Sequence, residues 1–198
     1  MTDFFDVVAR QRACRAFSDA PVSDDTIARI LTAATFAPSA ENRQPWEFIV
    51  VRDSGTRARI GDLTQRAWRE HGRAFSESRL PPKMLADVDR GATGGVAAAP
   101  VNIVVCADTQ RGLEATIASS IFPATQNLLL AATALGLGSA LTTITTGFRP
   151  ELRAILQLPE HVWPIAVIPI GHPARPLGPP RREPFAAHTH RDNYGLRW

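Results

Sequence analysis

Residues 37–46 read Ala37-Pro38-Ser39-Ala40-Glu41-Asn42-Arg43-Gln44-Pro45-Trp46, and they separate two segments of different period. Upstream, Ile27, Ile30, Leu31 and Ala34 recur at helical spacing. Ser23 stands ahead of them as a cap, Asp24 and Asp25 occupy the first turn, and Val22 is placed to staple onto Ile27. Downstream, WEFIVVR at 46–52 is aromatic and β-branched and reads as a strand. The junction is unusually constrained. Pro38 and Pro45 fix their own φ and push the preceding residue toward extended geometry. Ser39, Asn42 and Gln44 offer a hydroxyl and two amides, and Trp46 adds a flat apolar face. Such a junction is either a well-capped turn or a rigid loop shaped for a planar polar ligand.

Working outward, residues 3–11 carry Phe4, Val7, Val8 and Gln11 at helical spacing. They run into Arg10-Gln11-Arg12-Ala13-Cys14-Arg15, three arginines in six positions. That run is a solvated basic face or a phosphate clamp made of guanidinium forks and backbone N–H groups. Beyond the strand, residues 56–75 suit an Arg-rich helix with Ile60, Leu63, Ala67 and Trp68 on one side. Residues 76–95 hold Pro81-Pro82 and Gly91, Gly94 and Gly95 but few large apolar side chains. They read as a mobile excursion, either a covering flap or an insertion. VNIVVCA at 101–107 is a buried strand. Residues 119–135 form a nearly all-apolar helix with Pro123 near its start, ended by Gly136-Leu137-Gly138. Residues 139–144, SALTTI, suit a strand, 150–158 a short helix and 163–170, WPIAVIPI, another strand. Five prolines in 173–184 make the tail extended.

The chain of 198 residues fits one domain, large enough to need no disulfide staples. A net charge of +3, with arginines scattered along the chain, gives little support to a nucleic-acid partner. Two distant cysteines, Cys14 and Cys106, fit a reducing, cytoplasmic setting. Cys106 reads as a buried small hydrophobe. Cys14 among its arginines is either a semi-buried thiol or one of lowered pKa. No run approaches the ~18 apolar residues of a membrane span, and the start lacks a signal-peptide pattern. Gly136-x-Gly138 follows a helix, so it is not a dinucleotide fingerprint. His188-x-His190 lacks a third metal ligand. No nucleophile elbow, Walker glycine loop or paired carboxylates appear.

Taken in order, RACRAF, PVSDDTIARILTAATFAPSAENRQPWEFIVVRD, APVNIVVCAD, QNLLLAATALGLGS, WPIAVIPIGHP and RDNYG resemble the flavin-dependent nitroreductase family. The match spans nearly the whole chain except 55–95. The resemblance implies a single-domain α+β three-layer fold, a central mostly antiparallel sheet flanked by helices, in an intertwined homodimer. It also implies FMN at the subunit interface, with NADH or NADPH as electron donor. The implied activity is ping-pong hydride transfer to nitroaromatic, quinone or similar small-molecule acceptors. A reductive dehalogenase, a flavin-fragmenting enzyme or a binder without turnover is the alternative. By the same resemblance, Arg10, Gln11, Arg12, Ala13, Cys14 and Arg15 would hold the phosphate and ribityl chain. The family often has Arg where Gln11 stands and Ser where Ala13 stands, so Arg10 is expected to share the grip. Pro38, Ser39, Ala40, Asn42 and Gln44 would approach the flavin from the other subunit. Leu141, Thr142, Thr143 and Ile144 would set backbone groups against the ring, and Arg181 and Arg182 would return to the phosphate. The chemistry would be carried by FMN, without a catalytic side chain or a metal.

Overall fold

The computed structural model describes residues 3–198; of the N-terminal stretch 1–11, Met1 and Thr2 lie outside the described residues. Four antiparallel strands form one sheet in the order β1-β2-β4-β3: β1 Trp46–Val51, β2 Val101–Asp108, β3 Gly138–Ser139 and β4 Val162–Gly171. β2 is central and buried on both faces, as suits a run that is apolar but for Asn102, whose buried amide donates to Val96 C=O at 2.9 Å. Period-two alternation then assigns its residues to two separate cores. Val101, Ile103, Val105 and Ala107 face α2 (Asp24–Thr35) and α7 (Glu114–Ala134). Val104 and Cys106 face α3 (Ser54–Ala67) and α8 (Arg149–Leu156) through Ile60, Leu63 and Leu152. The result is a helix–sheet–helix sandwich of three layers. Each fully buried Ile or Leu in it contributes roughly 1.5–3 kcal/mol of apolar transfer.

The helix starts follow their caps. Ser23 Oγ accepts from Thr26 N–H at 3.2 Å, and Val22 and Ile27 share the core as the staple requires. Helix α1 (Phe4–Arg10) starts on Asp3, whose carboxylate accepts from Phe5 and Asp6 N–H. Only Val7 of that helix is buried; Phe4 and Phe5 are 63% and 76% exposed. That apolar face has no cover among the described residues.

The structure departs from the sequence reading in three places. Residues 76–95 are not a loose excursion. After α3 the chain passes through a π-turn, Trp68–Gly72, into α4 (Arg73–Glu77). It continues through α5 (Pro82–Arg90), a second π-turn Gly91–Gly95 and α6 (Val96–Ala98). Pro82 sits in the first turn of α5, where its missing N–H is harmless, and Gly91, Ala92 and Gly95 are buried by close packing rather than by bulk. The strand at 139–144 shrinks to Gly138–Ser139 plus one bridge, Thr142 to Val167, because Ile144 already opens a 3-10 turn. α7 begins at Glu114, which moves Pro123 from near the helix start to its interior. Of the two readings of Cys14, the buried thiol is the one the structure supports. Desolvation by burial raises its pKa, and a backbone contact at Ala16 and the nearby arginines only partly oppose this.

Burial pushes the Cys106 thiol up to about 12 from its ordinary value near 9.0. The folded state therefore holds this thiol neutral while the unfolded chain ionises it. The stability so conferred is complete below pH 9 and is lost as pH rises from 9 toward 12, by up to about 1.4 kcal/mol per pH unit. Urea unfolding at pH 8, 9 and 10 should show this decline, and Cys106→Ala should show a shallower one. A slope unchanged by the substitution would contradict the assignment.

Candidate functional site

The site grows from the open edge of the sheet. Thr142 N–H donates to Val167 C=O at 3.1 Å, and Val167 N–H donates back to Thr142 C=O at 2.8 Å. Peptides are planar and trans here, so the groups flanking Thr142 point the opposite way. Thr143 N–H and Leu141 C=O thus face away from β4, and neither has a hydrogen-bond partner among the described residues. One donor and one acceptor are left side by side along a cavity of about 550 Å3. That size falls within the roughly 300–1,000 Å3 usual for small-molecule sites.

The far wall is the helical run 68–96. Trp68, Phe75 and Val88 make it apolar, and His71 and Ser76 add polar groups. Trp68 is anchored by its indole N–H, which donates to Asp89 at 2.7 Å. The π-turn is needed for close approach: a Cβ on Gly72 would stand 2.1 Å from Ile144 Cδ1. Arg15 closes one end. Its guanidinium bonds Asp87 at 2.7 Å, and Asp87 also takes Arg90 at 3.0 Å. A Cβ on Gly91 would meet Arg15 Cδ at 2.5 Å, and one on Gly95 would meet the Arg15 carbonyl oxygen at 2.6 Å.

The sequence-predicted residues fall into three groups. Arg15, Leu141, Thr142, Thr143 and Ile144 converge on the cavity. The rest of the basic start lies beside it. Ala13 bridges Ser139, Cys14 N–H donates to Ser139 C=O at 2.8 Å, and Gln11 N–H closes α1 on Val7 C=O. Arg12 reaches the Gly178 carbonyl at 2.9 Å, and Arg10 folds back onto Asp6 C=O. The third group lines no part of the cavity of its own chain. Arg181 and Arg182 are exposed in the tail. Pro38, Ser39, Ala40, Asn42 and Gln44 form a stiff surface loop, and some of its polar groups bond within the chain. Ser39 Oγ accepts from Gln44 N–H at 3.0 Å, Ala40 N–H donates to Ser120 Oγ at 3.1 Å, and the Gln44 amide donates to Asn42 Oδ1 at 3.2 Å. Glu41, Asn42 and Gln44 all take left-handed backbone, φ 54°, 53° and 49°. Sequence reasoning missed Trp68, His71, Gly72, Phe75 and Asp87. The available signal was Gly91 and Gly95, four apart on a helix, which marks a face where another backbone comes close.

Comparison with known proteins now places the chain. The model of the nitroreductase family matches residues 8–172. An NADH dehydrogenase of Thermus thermophilus is 33% identical over 196 residues, covering 89% of both chains. An NAD(P)H-dependent FMN reductase of Bacillus subtilis is 27% identical, covering 98% of this chain and 75% of its own. A provisionally named nitroreductase from Desulfovibrio desulfuricans, solved in complex with FMN, superposes with a TM-score of 0.76 at 26% identity, covering 98% of this chain and 99% of that one.

Two adjacent glycines should respond oppositely to the same substitution. Gly95→Ala forces a Cβ into the Arg15 backbone and should cost about 1–3 kcal/mol. Gly94 has nothing within 4 Å, so Gly94→Ala should stabilise by about 0.4–1 kcal/mol. Chemical denaturation of both variants checks the pair, and a similar loss at both positions would contradict the packing.

Proposed function

This chain belongs to the nitroreductase family, and from that premise we propose that it is an FMN-dependent oxidoreductase that uses NADH or NADPH to reduce planar, electron-poor acceptors such as nitroaromatics or quinones. The observation that carries the reading is the unspent pair, Thr143 N–H and Leu141 C=O, set along an apolar-walled cavity with a guanidinium at its end. A flavin ring needs a donor and an acceptor along its polar edge, flat apolar walls and a cation where negative charge accumulates. The residues present fit that group.

Bound in this cavity, FMN would supply the hydride chemistry that links a nicotinamide donor to the acceptor. The chain's own work is to hold and to exclude. Thr143 N–H and Leu141 C=O fix the ring edge, and Arg15 offers positive charge in a partly dry site. Trp68, Phe75 and Val88 keep water from one face. Arg10, Gln11, Arg12, Ala13, Cys14 and Arg15 form the phosphate and ribityl side, joined by Arg181 and Arg182. Pro38, Ser39, Ala40, Asn42 and Gln44 reach the ring from a second subunit. The strained backbone of that loop supports pre-organisation for such a contact. The exposed Phe4 and Phe5, together with Phe36 at 82% exposure, favour a homodimer. Among the described residues no helix is long and apolar enough to cross a membrane. Two free cysteines suit a cytoplasmic setting. The run 68–96 is read as the wall that sets acceptor choice, with Phe75, 60% exposed, at its rim.

The protein should purify yellow with one FMN per subunit and give parallel initial-rate lines when donor and acceptor are varied together. Arg12→Ala should lower FMN affinity roughly tenfold or more, since a charge-assisted contact is worth about 1.5–3 kcal/mol, and leave riboflavin affinity nearly unchanged. Equal losses for the two ligands would remove the phosphate from this end of the site.

A further inference from the structure

The helical run after α4 is built around one arginine. The stem of Arg15 is pressed between Gly91 and Gly95, where no side chain beyond hydrogen fits. Its head is pinned at 2.7 Å by Asp87, one turn ahead of Gly91 on the same run. Arg15 and Asp87 are both about one-third exposed or less, at 27% and 32% of their side chains, so their attraction is only partly screened by water. Asp87 spends its other oxygen on Arg90, at the exposed end of α5. No acid lines this cavity among the described residues, and Arg15 is its one guanidinium. The charge the cavity feels is therefore set by how far Asp87 offsets Arg15.

We propose that Asp87 is a positioning residue that fixes the Arg15 guanidinium and tempers the positive charge it presents to the cavity, so that it sets how readily a bound flavin accepts electrons. The inference rests on the FMN reading given above. Electron uptake adds negative charge to the ring, and a cation at its edge favours the reduced form. Asp87 opposes that bias through Arg15. It also holds the guanidinium fork in one orientation, which a freed arginine would lose.

The test is the midpoint potential of the FMN-loaded protein, measured by equilibration with a reference dye. Asp87→Asn keeps the side-chain shape and removes the charge. It should shift the oxidised-to-reduced equilibrium toward reduced about tenfold, which for a two-electron couple is about 30 mV. The same charge change on the exposed face of α3, Asp62→Asn, should leave the potential in place. In an Arg15→Gln background the Asp87→Asn shift should vanish, because Asp87 works through Arg15. A shift that persists there, or an Asp87→Asn potential equal to that of the parent, overturns the proposal while leaving the FMN reading intact. Absence of FMN binding by the parent protein overturns both. Should Asp87→Asn not fold, Asp87→Glu decides. Retained charge predicts FMN binding with an equilibrium within threefold of the parent, and a tenfold change overturns the proposal.

Discussion

The exchange of hydrogen bonds between Thr142 and Val167 is the constraint on which the site depends. It is a single antiparallel pair at the end of a sheet, and it decides which way one stretch of backbone faces. Had residues 139–144 continued as a regular strand, the next residues would also have been drawn onto β4. Instead the chain turns into a 3-10 helix at Ile144, and the groups on either side of Thr142 stay free on the cavity side. An unpaired sheet edge is usually a liability. Here it is covered twice, by Cys14 on Ser139 and by the helical wall beyond, and only the short reach between them is open.

That arrangement explains why the two ends of the chain's basic start behave differently. Cys14 and Ala13 are tied to β3 by backbone contacts, so they act as scaffold whatever their side chains are. Arg15, one residue past the tie, is free to point its head at the cavity. Gly138 completes the fit, since a Cβ there would sit 2.6 Å from the Cys14 sulfur.

Much of the three-layer fold was legible because β2 and α2 carry strong periodic signals. Val101–Ala107 is apolar but for Asn102, as suits a strand covered on both faces, and the Ser23 cap marked the start of α2. The cavity-lining residues Leu141 to Ile144 were legible only through the family resemblance, and their secondary structure was misread. SALTTI has strand-like composition, but β4 pairs it only at Ser139, with Ile170, and at Thr142, with Val167. The wall at 68–96 was hidden for a different reason. Its burial comes from glycines and alanines that allow backbone to touch Arg15, and periodicity methods count large apolar residues. Pairs such as Arg15 with Asp87, 72 positions apart, carry no sequence signal at all.

The loop at 38–44 presents the remaining physical problem. Three non-glycine residues in left-handed backbone cost of order 1 kcal/mol each, and the fold holds them there with Ser120, Ser39 and the Asp108 N–H to Pro45 C=O bond. A turn that merely joined α2 to β1 would need no such strain, since shorter and relaxed connections exist. Its rigidity has value only against a surface that needs the Asn42 and Gln44 amides in one place. The cavity of their own chain described above does not include them. The nearby Phe36 and Phe122 are exposed apolar groups flanking the same region of α2 and α7. On our reading these facts have one explanation: strain, stiffness and uncovered aromatics belong to a face completed by a second copy, whose cavity receives the loop.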